Sequence, residues 1–167
     1  MSVSTAAAVP ALVTWLEHRP FAIAIAESTW CFPIVETIHV LALTVVVGSV
    51  AMMDLRMLGV GNKDRPVSEV IASSLPWAWS AFAVAFTAGS LMFCSKATSY
   101  YVNVPFRIKV VCLALAALNM LVFHLFTARD MPAWDSGKPP LGARLAATFS
   151  LTLWVIIVAA GRWVGFV

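Results

Sequence analysis

Residues 33–48 read PIVETIHVLALTVVVG, and this stretch decides the fold class. Apart from a glutamate, a histidine and two threonines it is apolar, and three later stretches have the same character. A helix needs about 20 mainly apolar residues to cross the hydrocarbon core of a bilayer. Only helices and closed barrels satisfy their backbone in lipid, and unbroken apolar runs exclude the alternating strands of a barrel. The sequence therefore predicts an all-α fold, a four-helix transmembrane bundle.

The predicted bundle occupies residues 30–167, and residues 1–29 form a separate N-terminal segment. Two apolar runs in that segment are too short to span, and Pro20 interrupts them. We expect them to form short helices that lie along the membrane interface. The predicted spans of the bundle, separated by polar stretches rich in glycine, proline or charge, are 30–53, 75–94, 108–128 and 145–163.

The composition indicates that lipid solvates most of the surface. Of 167 residues, 61% are hydrophobic and 11% are charged, against about 25% charged in a soluble domain. The basic residues lie at helix ends, where they anchor a helix at the interface, so the lipid bilayer is the predicted partner and nucleic acid is not. The segments 54–70 and 129–144 carry six Lys or Arg residues and the opposite face carries five. This bias favours both termini outside the cytoplasm.

Two of the three histidines, His39 and His124, lie inside predicted spans. An ionisable side chain in hydrocarbon is costly unless it is paired or ligated, and neutral imidazole is the commonest ligand for metals. A haem needs axial ligands, apolar walls and cations near its propionates. Glu36 shares a helix face with His39 and could orient its ring. The candidate propionate partners, on the side of the terminus-proximal helix ends, are Arg107, Lys109 and Arg162.

Depth argues against one iron shared by both histidines. His39 precedes Asp54 by 15 residues, about 22 Å of helix. His124 precedes Arg129, at the same membrane face, by five residues, about 7 Å. The two rings should therefore bind different irons or pair with other subunits. Met92 lies near the height of His39 and is a candidate second axial ligand, although methionine in a membrane helix also serves as packing.

Three other interpretations stay open. Soft ligands suit copper(I), which makes copper an alternative cofactor: Cys31, Cys94, Cys112, Met92 and His39. Glu36, His39 and Asp54 lie on one helical stripe and could relay protons or carry a cation in an oligomer. The polar residues could also join helices in a structural subunit, and the small residues Ala81, Ala85 and Gly89 form a line that permits close helix packing.

Three motifs carry a resemblance to a known family. They are FPIVETIH at 32–39, DLRMLG at 54–59 and FRIK at 106–109, the last leading on to Asn119 and His124. Over most of residues 30–130 the chain resembles a bacterial family of four-span membrane proteins known only as a domain of unknown function. The resemblance implies a bacterial inner-membrane bundle and supplies no activity. The polar residues in these stretches are Glu36, His39, Asp54, Arg56, Arg107, Lys109 and His124.

The function predicted from these observations is that of a b-type haem protein in the membrane, ligated by His39 and also by His124. It would transfer electrons or carry out haem-based redox chemistry as a homo-oligomer, with a redox partner protein or a quinone. An open sixth iron position would also allow oxygen or peroxide chemistry, but no residue pattern names a substrate, so enzymatic activity is left open.

Overall fold

The computed structural model describes residues 9–61, 64–135 and 137–166, and all regular structure in these residues is helical. The prediction of an all-α fold is therefore confirmed. The helices are α1 (Ala11–Glu17), α2 (Pro20–Glu27), α3 (Cys31–Met57), α4 (Val67–Ser95), α5 (Ala97–Val102), α6 (Val104–Val122), α7 (Met131–Trp134) and α8 (Leu141–Trp163).

Four helical segments are long and apolar enough to cross a membrane, which makes this a multi-pass membrane protein. They are Cys31–Met57, Val67–Ser95, Val104–Trp134 and Leu141–Phe166. Each extends beyond its predicted span because hydropathy locates the hydrocarbon core, whereas the backbone hydrogen bonds of a helix continue through the interface. The third segment changes its winding: α6 continues through a π-helical turn at Phe123–Thr127 before α7.

The spanning helices form two pairs. α3 packs along α4, α6 packs along α8, and α8 also contacts α3. Among the described residues α4 and α6 make at most marginal backbone contact. Phe93 of α4 stacks on Phe106 of α6 in the half of the bundle nearer the termini, and residues of both helices line an open space in the other half. Two small residues of α8, Ala143 and Ala147, are fully buried one turn apart. Small residues at this spacing let helix backbones come together in lipid.

The N-terminal helices α1 and α2 have seven and eight residues, too short to span, as expected. α1 packs against α5 and α2 packs against α4. The carboxylate of Glu17 accepts hydrogen bonds from the backbone N–H and the hydroxyl of Thr98, in the first turn of α5. This contact supplies an acceptor for a helix start that otherwise lacks one.

A carboxylate from a distant part of the chain, that of Asp135, caps the first turn of α4. Asp135 accepts a 2.7 Å hydrogen bond from the backbone N–H of Ser68 through one oxygen, and a 2.6 Å bond from the Ser68 hydroxyl through the other. These bonds, the hydroxyl first, hold the pKa of Asp135 below its ordinary value. The loop before α4 turns at Gly59 and Gly61, whose φ angles of 76° and 77° favour glycine.

Candidate functional site

The ring of His39 connects three spanning helices in the half of the bundle nearer the termini. Its Nδ1 lies 2.7 Å from the carbonyl oxygen of Ala85 on α4. Since a carbonyl only accepts, Nδ1 carries a proton and donates it. The other ring nitrogen, Nε2, lies 3.4 Å from the Nζ of Lys109 on α6. A lysine ammonium only donates, so Nε2 is the acceptor of this second contact.

Two glycines lie against this pair, and one of them makes room for it. A Cβ at position 89 would lie 2.9 Å from Cε1 of His39 and 3.2 Å from its Nδ1, so the ring fits only because Gly89 has no side chain. Lys109 lies over Gly161 of α8, where a Cβ would stand 3.6 Å from Nζ. The histidine and the lysine are thus enclosed by residues of α4 and α8. We call His39, Lys109, Ala85 and Gly89 the histidine–lysine node.

The residues predicted to hold a haem have different surroundings in the structure. Glu36 is exposed, and the hydrogen bond that we expected it to make with His39 is made by the carbonyl of Ala85. Burial, and then the negative charge of Glu36, raise the pKa of Tyr100 on α5.

Of the predicted propionate partners, only Lys109 reaches His39. Arg107 is exposed, and the guanidinium of Arg162 lies 4.7 Å from the ring centroid of Phe166. Met92 is half-buried, and its carbonyl oxygen accepts a hydrogen bond from the Ser95 hydroxyl.

A cavity of about 220 Å³ occupies the opposite half of the bundle, near the loop between α3 and α4. It lies where α4 and α6 stand apart, and α3 and α8 complete its wall. The wall is mostly aliphatic, aromatic and methionine side chains. Its four polar residues are Asp54, Asn119, His124 and Ser150. We call this space the α4–α6 cavity.

Asp54 is the buried charge-bearing group of the α4–α6 cavity. The residue is 4% exposed, Ser150 lies in the same lining, and Oδ2 has no partner among the described residues. The described lining contains no lysine or arginine. An ionised carboxylate without a counter-ion is strongly disfavoured in such a place. The charge of the Asp54 carboxylate must therefore be neutralised, either by a proton or by a bound cation.

His124 lies beside this cavity on the π-helical turn. Its Nδ1 donates to the carbonyl of Met120 at 2.9 Å, which leaves Nε2 as the acceptor atom of the ring. π-helical turns occur frequently at functional sites. Asn119, one turn earlier, donates from Nδ2 to the carbonyl of Ala146 on α8 at 3.0 Å, the interhelical bond expected of an amide in lipid.

The single polar stripe predicted along α3 is thus divided. Glu36 faces outward, His39 belongs to the node, and Asp54 belongs to the cavity in the other half. The sequence carried a signal for the node: the small-residue line on α4 includes Ala85 and Gly89, which contact His39. We interpreted that line as helix packing alone. No pattern pointed to Ser150 or to the aromatic wall of the cavity.

The described residues contain no group of three or more His, Cys, Asp or Glu side chains that could hold a metal ion. The cysteines proposed for copper(I) are separate: Cys31 is exposed, Cys94 is half-buried and Cys112 is buried in the core.

Comparison with known proteins identifies the family and leaves the activity open. No curated protein matches the chain, and no solved structure matches it. One family model matches residues 29–167, which cover α3 to α8 and both sites described above. This chain belongs to that family, a family of unknown function (DUF6644).

Proposed function

We propose that this protein carries a proton or another cation across the membrane, and that Asp54 is the group that binds it. One observation supports this most directly. Asp54 is 4% exposed, and its unpartnered Oδ2 belongs to a residue that lines a cavity of about 220 Å³. A buried carboxyl oxygen without a partner is energetically costly, and ionisable groups at such positions in membrane proteins typically bind ions or protons.

The proposed cycle uses two states of one carboxyl group. With a proton as its cargo, Asp54 is neutral, which suits the apolar wall. When another cation enters, the proton leaves, and the carboxylate, which lines the cavity together with Ser150, balances the positive charge of that cation. The opening between α4 and α6 is the element that would admit the cation, because residues of both helices line the cavity and their backbones make at most marginal contact among the described residues.

The histidine–lysine node would serve the other half of the route. Along α3, His39 is 15 residues from Asp54, about 22 Å, so a proton could not pass directly between them. Lys109 and His39 share one hydrogen-bond contact and could exchange a proton within the node. Water or a change in helix packing would have to connect the two sites.

The proposal extends to the oligomeric state of the protein and to the membrane in which it lies. Four spans are few for a carrier, so we propose a homo-oligomer. The family resemblance supports the bacterial inner membrane, and the excess of basic residues, six against five, supports termini on its periplasmic side. The α4–α6 cavity would then lie near the cytoplasmic face.

A flux assay tests the carrier. The protein is reconstituted into liposomes that contain a pH-sensitive dye, and an imposed potential drives protons inward. We expect Asp54→Asn, which keeps the shape and removes the ionisable group, to lower the flux at least tenfold. Glu69→Gln is the matched control, because Glu69 is an exposed carboxylate on α4 that pairs with Arg65. Equal flux in wild type and Asp54→Asn would refute the proposal.

A b-type haem is the second candidate, and one observation favours it. Both intramembrane histidines donate Nδ1–H to a backbone carbonyl, of Ala85 and of Met120, which selects Nε2 as the ligating atom. A haem bound there would supply one-electron chemistry with a redox partner protein or a quinone. At His39, however, Lys109 occupies the Nε2 direction.

The volume of the α4–α6 cavity also argues against a haem bound to His124. A dry cavity of about 150 Å³ takes benzene, so about 220 Å³ suits a ligand of one or two rings. A porphyrin would have to extend through the opening between α4 and α6. The visible spectrum of protein expressed with ample haem decides the matter. A Soret band that disappears in His39→Ala or His124→Ala would support haem, and a colourless wild type would exclude it.

A further inference from the structure

We infer that the cargo of the α4–α6 cavity is a small organic cation, an alkylated ammonium ion that carries one aromatic ring. This inference rests on the proposed function, because it names the cation that Asp54 binds. It is drawn from the wall of the cavity, its oxygen content, its size and its charge.

The wall is suited to a diffuse positive charge. Four aromatic residues line it, contributed by three elements: Trp79, Phe82, Phe123 and Trp154. Trp79 and Phe82 meet edge to face with ring centroids 6.1 Å apart. Aromatic faces attract ammonium ions, and a cage of such rings is the usual means of recognising an alkylated ammonium. Asp54 would supply the full negative charge beside them.

The same wall is poorly suited to a hard metal ion. Hard cations such as Ca²⁺ and Mg²⁺ require six or more oxygen ligands. Among the described lining residues, side-chain oxygens come from Asp54, Ser150 and Asn119 alone. A hard metal ion would therefore lose most of its hydration without replacement. An organic ammonium ion loses much less, because its alkyl groups already separate the charge from water.

The size of the cavity and the charge of its lining narrow the class of ligand further. A volume of about 220 Å³ exceeds the roughly 150 Å³ that accommodates benzene, which leaves room for one ring and a trimethylammonium group. An anion would meet a carboxyl group with no lysine or arginine in the described lining. A wholly apolar ligand would leave Oδ2 of Asp54 buried and unpaired, at a cost that a cation removes.

Binding would exchange one proton for one cation. The O–H bond of the Asp54 carboxyl group breaks, the proton leaves to water, and the carboxylate pairs with the ammonium, with no change of redox state. The titratable side chains in the described lining are Asp54 on α3 and His124 on the π-helical turn, and α4 and α8 contribute none. Because the carboxyl group gives up its proton when the cation binds, binding becomes tighter as the pH rises.

The probe is benzyltrimethylammonium, titrated by calorimetry into the purified full-length protein in detergent micelles. Its neutral counterpart is neopentylbenzene, in which carbon replaces the charged nitrogen at the same shape. We expect the cation to bind at least tenfold more tightly than the neutral compound. We also expect the release of one proton, read from the dependence of the heat on buffer ionisation.

Variants separate charge from shape. Asp54→Asn should weaken the cation at least tenfold and leave neopentylbenzene unchanged, whereas Glu69→Gln should change neither. Trp79→Leu, at a half-exposed position of the wall, should weaken the cation about threefold or more through the lost cation–π contact. Equal affinity for the charged and neutral compounds, or a cation affinity that Asp54→Asn leaves intact, would overturn the inference.

The two proposals fail in different ways. Proton flux that depends on Asp54, together with no binding of benzyltrimethylammonium, would refute the organic cation and leave a proton carrier. Binding that depends on Asp54, together with flux that does not, would support the cation site and refute the carrier.

Discussion

The fit of His39 against Gly89 predicts that one added methyl group will disrupt the histidine–lysine node. In Gly89→Ala the new Cβ would lie 2.9 Å from Cε1 of His39 and 3.2 Å from Nδ1. Real Cβ atoms do not approach ring atoms so closely, so the ring must move away from α4. Movement in that direction breaks the 2.7 Å hydrogen bond to the carbonyl of Ala85.

The magnitude follows from three contributions. Forcing a methyl group into a packed site costs about 1–3 kcal/mol. The lost interhelical hydrogen bond adds about 0.6–1.7 kcal/mol. Alanine is favoured over glycine inside a helix by about 1 kcal/mol, which offsets part of this. The free energy of unfolding should therefore fall by about 2 kcal/mol.

Gly48→Ala is the matched control, because a Cβ at Gly48, within α3, has no neighbour inside 4 Å. It should stabilise the protein by up to about 1 kcal/mol through helix propensity alone. The free energy of unfolding is measured by SDS titration in mixed micelles, followed by circular dichroism. In a His39→Ala background Gly89→Ala should no longer destabilise. A Gly89→Ala variant as stable as Gly48→Ala, or a loss that persists without His39, would refute this geometry.

Three further substitutions test other parts of the structure. Asn119→Ala should lower the free energy of unfolding by about 0.6–1.7 kcal/mol in the same SDS titration, because it removes the bond to Ala146, and an unchanged value would show that α6 and α8 do not use this bond. Asp135→Ala should destabilise by about 1 kcal/mol at pH 7, because it removes the cap on Ser68. Since the folded state lowers the pKa of Asp135, this contribution is present above the unfolded pKa of about 3.9 and is lost as the pH falls through the lower folded value. Thermal unfolding should show a smaller difference from wild type at pH 3 than at pH 7, and a difference independent of pH would contradict the cap. Gly161→Ala should be tolerated, because its Cβ would meet Lys109 at an ordinary contact distance of 3.6 Å, and a loss above 1 kcal/mol would indicate tighter packing than described.

The amino-acid sequence by itself determined that the fold is all-helical with four spans. Lipid leaves no other solution for runs as apolar as 33–48, so composition and length were sufficient. The ends of the helices were harder to predict from the sequence. α3 continues to Met57 and α4 begins at Val67, beyond the predicted limits, because a helix does not end where its hydrophobicity ends.

The partners of the polar residues were decided by tertiary structure alone. Helical spacing predicted that Glu36 and His39 share one face of α3, yet α4 covers His39 and leaves Glu36 exposed. The packing of the four helices decided which helix supplies the acceptor for His39. It also decided that, among the described residues, Oδ2 of Asp54 has no partner.

The physical reason is that lipid is as apolar as the interior of the bundle. In a soluble protein the contrast between polar and apolar faces tells which side of a helix is buried. Here both sides of α3 are apolar, so the sequence contains little record of which one faces α4, α6 or α8. The opening between α4 and α6, and with it the cavity at Asp54, is a property of helix packing that no single helix encodes.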